Sequence, residues 1–316
     1  MPYTDYISRD DAAALIPDEA SKDIIQAVSE ESVILKLGRR LANMSRKQYR
    51  MPVLSLFPTA YFVDTAPEDK ALKQTTDINW ENKYINAEEL AVIVPIPDAV
   101  LEDVDYDIWA ECKPQLVAAL GLAIDAAVLF GTNAPGTWPT DVLAAAVAAG
   151  NSVVLGVGAD IYADVWGVGG VISTIEADGF MHSGGVADIT MRSRLRDLRD
   201  ADGNLIYTRS AQDGTPYAVD GEPLLFPRNG SMDVTQAHMI LGDRQQLVYS
   251  IRQDIVFKVF EEGIVQDAAG NIVYNLMQQD MVALRVTMRL GWQVPNPINR
   301  LNEVEAARYP FGALIP

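Results

Sequence analysis

The first periodic pattern along the chain has the spacing of an α-helix and runs from about Pro17 to Lys47. Apolar side chains recur there roughly every three or four residues. They are Ile24, Ile25, Val28, Val33, Leu37 and Leu41. This spacing predicts an amphipathic helix, or a pair of helices, with one apolar face.

The next segment has the composition of β-strand. Residues 51–63, MPVLSLFPTAYFV, are rich in aromatic and branched side chains and contain Pro52 and Pro58. Because proline cannot donate to a central ladder, we expect this strand at a sheet edge or in an arm. A polar tip, residues 64–77, precedes the returning segment INWENKYIN, residues 78–86. One face of that segment carries Ile78, Trp80, Asn82 and Tyr84. The two segments together predict a long hairpin arm.

The predicted arm has little core of its own. A two-stranded hairpin standing alone is marginally stable in water. Its aromatic residues Tyr61, Phe62 and Trp80 therefore indicate that the arm lies on another surface, and another subunit is the natural candidate. The alternative is that the arm folds back onto its own domain.

A strand and a long helix follow the arm. Residues 90–96, LAVIVPI, predict a continuous apolar strand, and PDAVLEDV predicts a short helical turn. Asp105 or Asp107 can cap the next helix, which ends at Gly131. Its apolar stripe contains Trp109, Cys112, Leu116, Leu120, Ala123, Ala127 and Phe130. Pro114 lies inside this pattern and predicts a kink or a junction of two segments.

The rest of the chain predicts a compact mixture of helices and strands. We expect helices over residues 160–177 and 187–198, and final strands over residues 281–290 and 292–294, before a proline-rich tail. The uncharged run of residues 142–159 contains Gly150, so it predicts a buried helix followed by a strand rather than a membrane span. The acidic start MPYTDYISRDD does not have the pattern of a signal peptide.

Composition limits the possible chemistry. The 316 residues exceed the usual size of a single core, about 250 residues, so two or more packed units are expected. One cysteine excludes an intrachain disulfide, and two histidines supply few zinc ligands. The nucleotide-binding patterns GxGxxG and GxxxxGK[ST] are absent from the sequence. We therefore predict no catalytic, cofactor-binding or metal-binding residues and no cofactor.

Charge is distributed unevenly in this acidic chain, whose formal net charge is -18. No acidic residue occurs between Glu31 and Asp64, a region that contains Lys36, Arg39, Arg40, Arg46, Lys47 and Arg50. This basic stretch is either a solvated helix face or a contact with an acidic neighbouring surface or nucleic acid. The acidic run from Asp98 to Glu111 suits a helix amino terminus, and it could instead meet the basic stretch between subunits.

The ordered set of segments resembles the major capsid proteins of tailed bacteriophages of the Hong Kong 97 (HK97) type. The resemblance rests on MPVLSLFPTAYFV, INAEELAVIVPIPDAVLEDVDYDIW, KPQLVAALGLAIDAAVLFGTN and RVTMRLGWQVPNP. It implies an α+β, HK97-like capsid fold. The parts of that fold are an N-terminal arm and helix, an extended β-hairpin loop (E-loop), a peripheral domain with a long spine helix, and a mixed α/β axial domain.

The resemblance also implies domain boundaries. Residues 1–49 would be the arm and helix, and residues 50–88 the extended loop. The peripheral domain would combine residues 89–132 and 272–300. Residues 133–271 would form the axial domain, and residues 301–316 a C-terminal tail.

The function implied is structural rather than enzymatic. Copies would self-assemble as pentamers and hexamers into an icosahedral head shell that encloses double-stranded phage DNA and contacts it non-specifically. A separate scaffolding protein, a portal and decoration proteins are expected partners. No contact with a membrane is expected. The chain would be assembled in the host cytoplasm and reside in the virion. The candidate intersubunit contacts are Arg39, Arg40, Arg46, Lys47, Arg50, Tyr61, Phe62, Lys70, Lys73, Trp80, Lys83 and Tyr84.

Three further interpretations stay open. Some members of the family join a loop lysine to a neighbour's asparagine, and Lys70, Lys73 and Lys83 lie in the hairpin, but no partner asparagine can be matched. An encapsulin-like shell enclosing cargo enzymes is an alternative on the same fold, although the long aromatic hairpin favours the phage capsid. A soluble enzyme with a dispersed site is the alternative from another class.

Overall fold

The computed structural model describes residues 32–62, 73, 75–103, 108–199, 202, 218–267 and 269–316. The part of the predicted first helix before Ser32 lies outside these residues. The helices are α1 (Val33–Leu37), α2 (Asp98–Asp103), α3 (Ile108–Phe130), α4 (Val142–Ala149), α5 (Ile161–Trp166), α6 (Val171–Ala177) and α7 (Met191–Arg196). The strands are β1 (Arg39–Arg40), β2 (Gln48–Leu56), β3 (Asn79–Asn86), β4 (Glu88–Pro97), β5 (Ser152–Val154), β6 (Gly184–Ala187), β7 (Ala218–Val219), β8 (Glu222–Leu225), β9 (Met239–Gly242), β10 (Val248–Phe260), β11 (Ile264–Gln266), β12 (Ile272–Asn275), β13 (Met281–Gln293) and β14 (Phe311–Ile315).

A four-stranded sheet and the long helix α3 form one unit. The strand order is β1-β10-β13-β4, in which β13 is antiparallel to both of its neighbours. Alternate side chains of β13, including Leu284 and Val286, pack with Leu116 and Leu120 of α3, because successive strand residues point to opposite faces. The apolar stripe in the sequence predicts this long amphipathic helix, and the structure places the stripe against one face of the sheet.

Helix α3 is continuous through Pro114. Of the two alternatives predicted for that residue, a kink or a junction of two segments, the junction is therefore wrong. By length and composition alone α3 could cross a membrane, but half of its most apolar window is buried within the fold. Leu120, Ile124 and Val128 are each no more than 2% exposed. The helix therefore serves as a core element shared by the two sheets.

A six-stranded sheet with helices packed around it forms the second unit, in the order β5-β14-β9-β6-β8-β7. All residues of β6 and β9 are buried. Apolar side chains from α6 and α7, such as Ile175 and Met191, pack against Leu241 of β9 and Leu314 of β14. A strand buried on both faces reads as a short apolar run in sequence, as MILG in β9 does.

Only Lys36 of the basic stretch lies in a helix, α1, although the spacing predicts that the helix continues to Lys47. Helix α1 ends at Gly38, whose N–H donates to Ile34 O, and the next residue, Arg39, donates its N–H to Leu247 O. The chain thus changes from helical to sheet hydrogen bonding within two residues and continues as β1, parallel to β10. Arg50 lies farther along, in β2.

Several other elements differ from the predictions. The helix predicted for residues 160–177 is two helices, α5 and α6, because the chain turns at Gly167, where a Cβ would lie 2.5 Å from Ala163 O. The helix predicted for residues 187–198 is only α7, since Ala187 ends strand β6. The last two predicted strands are one continuous strand, β13.

Long-range pairing groups the chain differently from the predicted domain boundaries in two places. Strand β10, within the span assigned to the axial domain, pairs along its length with β13 of the four-stranded sheet. Strand β14, within the predicted C-terminal tail, lies inside the six-stranded sheet between β5 and β9. Each of these pairings joins segments that are distant in sequence, which local patterns do not report.

Buried Asp125 on α3 holds the amino-terminal end of α1. Its carboxylate accepts hydrogen bonds from Ser32 Oγ (2.5 Å), Val33 N (2.9 Å) and Ile34 N (3.0 Å). Asn229 Nδ2 donates a fourth at 3.2 Å. Burial raises the pKa of Asp125, while its hydrogen bonds act in the opposite direction. The carboxylate thus caps α1 and ties it to α3 and to the loop that contains Asn229.

We predict that Asp125→Ala lowers the free energy of unfolding by about 2–4 kcal/mol, because it leaves buried N–H donors without acceptors. Urea unfolding followed by circular dichroism measures the effect. Glu102→Ala, which removes an exposed carboxylate from α2, is the control and should change stability by less than about 0.5 kcal/mol. Equal unfolding midpoints for Asp125→Ala and the unaltered chain would contradict the capping role.

Candidate assembly interface

The predicted arm is an antiparallel hairpin of β2 and β3. Its register pairs Arg50 with Tyr84 and Leu54 with Trp80. Residues directly opposite one another share a face, so the face that we call the outer face contains Arg50, Pro52, Leu54, Trp80, Asn82 and Tyr84. The opposite, inner face contains Tyr49, Met51, Val53, Glu81, Lys83 and Ile85.

The root of the arm is packed firmly into the four-stranded sheet. Ile85 is fully buried in a cluster with Met44, Ala87 and Val248. The hairpin crosses β13 at Gly291, where a Cβ would lie 2.3 Å from Asn86 O. Only a residue without a side chain lets the two backbones approach so closely.

Hydrogen bonds around Asn86 hold the same root. Trp138 Nε1 donates to Asn86 O at 3.2 Å, and Asn86 Nδ2 donates to Thr137 O at 2.9 Å. Thr137 Oγ1 in turn donates to Glu88 Oε1 at 2.8 Å. This bond and nearby Lys47, whose Nζ is 3.3 Å from Glu88 Oε1, lower the pKa of Glu88. The arm therefore leaves the sheet from a fixed base.

The inner face of the arm rests on its own chain. Lys83 forms an ion pair with Glu305. Beyond β2, Arg300 donates to Pro58 O at 3.0 Å, and its guanidinium lies 4.7 Å from the centre of the Phe57 ring. The alternative prediction, that the arm folds back onto its own domain, thus applies to the inner face of the hairpin.

The outer face is exposed. Trp80 is 64% exposed and Tyr84 is 41% exposed. Past the end of β2, Tyr61 and Phe62 are also exposed. An apolar surface of this kind marks a site for a protein partner when it is contiguous, and here it lies along one face of a ribbon.

The basic candidates lie near the root of the arm and on its outer face. Arg40 donates to Asn43 Oδ1 at 3.0 Å, and Lys47 pairs with Glu88. Within the described ranges, no carboxylate forms an ion pair with Arg39, Arg46 or Arg50, and all three are exposed. Such residues can interact with an anionic surface outside the subunit.

The remaining candidates separate into three cases. Lys83 is engaged with Glu305, Lys73 is exposed, and Lys70 lies outside the described residues. The acidic run, for which contact with the basic stretch was the second interpretation, begins as α2, and among the residues with defined positions no ion pair joins α2 to that stretch. A contact between the two surfaces would therefore involve two subunits.

Side chains suited to catalysis are dispersed. Cys112 packs at the apolar cluster of α3, and burial lowers the pKa values of His182 and His238. Across the part of the chain that the structure describes, no group of three or more His, Cys, Asp or Glu side chains could hold a metal ion. The conspicuous feature of the described residues is the exposed outer face of the arm, which is suited to contact with a partner.

Sequence reasoning missed three residues that position the arm, namely Gly291, Arg300 and Glu305. An isolated glycine within the strand pattern RLGWQ was a usable signal, since it indicates close approach of another backbone. Arg300 and Glu305 had no comparable signal, because their partners Phe57 and Lys83 are more than 200 positions away.

We predict that Gly291→Ala destabilises the chain by about 1–3 kcal/mol, because the added methyl group overlaps Asn86 O and Ile85. Hydrogen exchange of the β3 amides should accelerate, as measured by mass spectrometry. Gly136→Ala is the matched control, since nothing lies within 4 Å of a Cβ at that position. Unchanged β3 protection in Gly291→Ala would show that the crossing does not hold the arm.

Comparison with known proteins identifies the family of this fold. Residues 12–299 match the family described as the phage capsid family. The chain is 27% identical over 283 residues to the major capsid protein of Staphylococcus phage 80alpha, covering 88% of this chain and 81% of that protein.

Solved structures agree with this match. A chain from Microbacterium phage Oxtober96 superposes with a TM-score of 0.85 at 33% identity, covering 99% of this chain and 100% of that one. A chain from Mycobacterium phage Cain gives a TM-score of 0.83 at 29% identity, with 99% of each chain covered. These matches confirm the predicted HK97-like fold and the predicted structural role as a major capsid protein. The chain belongs to the phage capsid family.

Proposed function

We propose that copies of this chain assemble as pentamers and hexamers into an icosahedral head shell around double-stranded phage DNA. The observation that carries the proposal is the outer face of the arm, which exposes Trp80 and Tyr84 although the arm is fixed at its root. A rigid ribbon with one uncovered aromatic face is suited to lie on a neighbouring copy.

The contact proposed is heterologous. The arm projects from the four-stranded sheet, and its outer face must meet a different surface of the next subunit. Head-to-tail contacts of this kind generate rings when the rotation between copies closes. Pentamers and hexamers are such rings, built with two rotations of the same contact.

Arm burial would supply a large share of the contact energy. A fully buried large apolar side chain contributes roughly 1.5–3 kcal/mol, and the outer face offers Trp80, Leu54 and the ring of Tyr84. Each copy both gives and receives one arm, so these contributions recur at every step around a ring. Many modest contacts of this kind favour a closed shell over isolated subunits.

The charge distribution suits enclosure of DNA without tight wrapping. A net charge of -18 disfavours phosphate contact over the whole surface, whereas Arg39, Arg46 and Arg50 are available for local, non-specific contact or for an acidic neighbour. In this proposal the chain assembles in the host cytoplasm, with a scaffolding protein, a portal and decoration proteins as partners, and resides in the virion.

The proposed division into domains follows the family but uses the observed sheets. Residues 1–49 and 50–88 remain the arm with its helix and the extended loop. The peripheral domain would gain β10 in addition to residues 89–132 and 272–300. The axial domain would gain β14, which lies in its sheet.

We predict that Trp80→Ala leaves the subunit folded but raises the protein concentration needed for assembly by about tenfold or more, the factor that corresponds to 1.4 kcal/mol. Light scattering and electron microscopy of purified protein, with a scaffolding partner if one is required, measure assembly. Trp80→Phe keeps an aromatic ring and should assemble nearly normally.

Val168→Ala is the control for general loss of exposed apolar surface, because Val168 is fully exposed on the other unit. Unchanged assembly of Trp80→Ala would remove the arm from the intersubunit contact. Monomers of the unaltered chain under every condition would contradict the shell itself.

A further inference from the structure

A pocket lies beside the root of the arm, and the contacts described above assign it no ligand. It lies between α3, the start of β4 and the loop after α3, and its volume is about 450 Å³. Its walls include Leu90, Ala123, Ala126, Ala127, Trp138 and Leu290. Apolar cavities of about 300–1,000 Å³ with a few polar groups at the edge are typical binding sites.

The edge of this root pocket is acidic and polar. Glu88, Glu89, Thr132 and Asn133 line it. Glu88 pairs with Lys47, and Glu89 accepts two hydrogen bonds from Arg289. Each carboxylate has acceptor capacity beyond these bonds, so the edge can receive both a further cation and an N–H donor.

The outer face of the arm has the complementary chemistry. Trp80 offers an exposed apolar ring with one N–H donor. Arg50, on the same face, is a cation that has no ion pair among the residues with defined positions. Polarity and charge thus match the root pocket.

A subunit cannot fill its own root pocket with Trp80. Asn86 is held next to this pocket by Trp138, and Trp80 lies six residues farther along the continuous strand β3. At about 3.3 Å per residue, the two positions are about 20 Å apart. The ring must therefore come from a second copy of this chain.

We infer that the root pocket of one subunit receives Trp80 from the arm of the next subunit, with Arg50 directed toward the acidic edge. The inference rests on the proposed function and specifies which two surfaces meet. Because ring and pocket occupy different parts of the subunit, the contact repeats head to tail. The indole N–H finds an acceptor among the carboxylate and amide oxygens of the edge, as buried tryptophans usually require.

Cross-linking between two different variants tests the pairing while leaving both Trp80 and the pocket walls intact. Cys112 is the chain's one cysteine and is first replaced by serine. Asn82→Cys then places a thiol on the outer face beside Trp80, and Thr132→Cys places one at the edge of the pocket. The two variants are co-expressed, assembled and treated with a short bis-maleimide. The expected result is a cross-linked heterodimer, identified by mass spectrometry of the peptide pair that joins position 82 to position 132.

The matched control pairs Asn82→Cys with Val168→Cys, a fully exposed position on the six-stranded unit. We expect at least tenfold more heterodimer from the pocket pair than from this control, and loss of that excess when Trp80→Ala is added to the arm variant. Assembled particles with equal cross-linking in the two pairs would overturn the pocket assignment and leave the shell intact. Failure of the unaltered chain to form particles would overturn both.

Discussion

A two-stranded ribbon has two faces, and its own chain covers only one of them. This constraint determines how the rest of the molecule is used. The inner face of the hairpin is held by Glu305 and the chain just beyond β2 by Arg300, while the outer face exposes Trp80. Since an isolated hairpin is marginally stable, we expect a second surface to complete the arm, and we propose that this surface belongs to another copy of the chain.

The fixed direction of the arm depends on the segment that follows β13. This segment holds the hairpin through Glu305 and is itself held by buried Asp178, which accepts from Asn302 Nδ2 at 2.9 Å and Tyr309 N at 2.9 Å. Asn151 Nδ2 donates to the same carboxylate at 2.7 Å. Buried carboxylates are tolerated when hydrogen bonds satisfy them. The segment therefore links the arm to the six-stranded unit, so that both units set the angle at which the arm projects.

Local patterns in the sequence predicted the elements whose contacts are local. The apolar stripe from Trp109 to Phe130 identified α3, and the alternation around Trp80 identified the arm and its outer face. The same reasoning made Lys36 to Arg50 helical, because Val33, Leu37 and Leu41 have helical spacing. The N–H groups of Arg39 and Leu41 instead donate to the carbonyls of Leu247 and Tyr249, so that Arg39–Arg40 joins a sheet.

Long-range contacts were beyond such patterns. No local pattern in β10 predicts that it pairs with β13. The apolar run FGALI of β14 was assigned to a tail, although it is buried between two strands. The candidate site was predicted in part for the same reason. Trp80 and the basic residues near the arm were identifiable by residue type. The contact of Glu305 with Lys83 and the root pocket, in contrast, form only when distant segments fold together.

Electron cryomicroscopy of particles assembled from this chain measures the central claim most directly, since it shows what covers the outer face of the arm. The account predicts density for Trp80 buried against a neighbouring subunit, in every pentamer and hexamer, with the inner face still on Glu305 of its own chain. Closed particles in which Trp80 remains exposed to solvent, or in which the arm contacts only its own subunit, would contradict it.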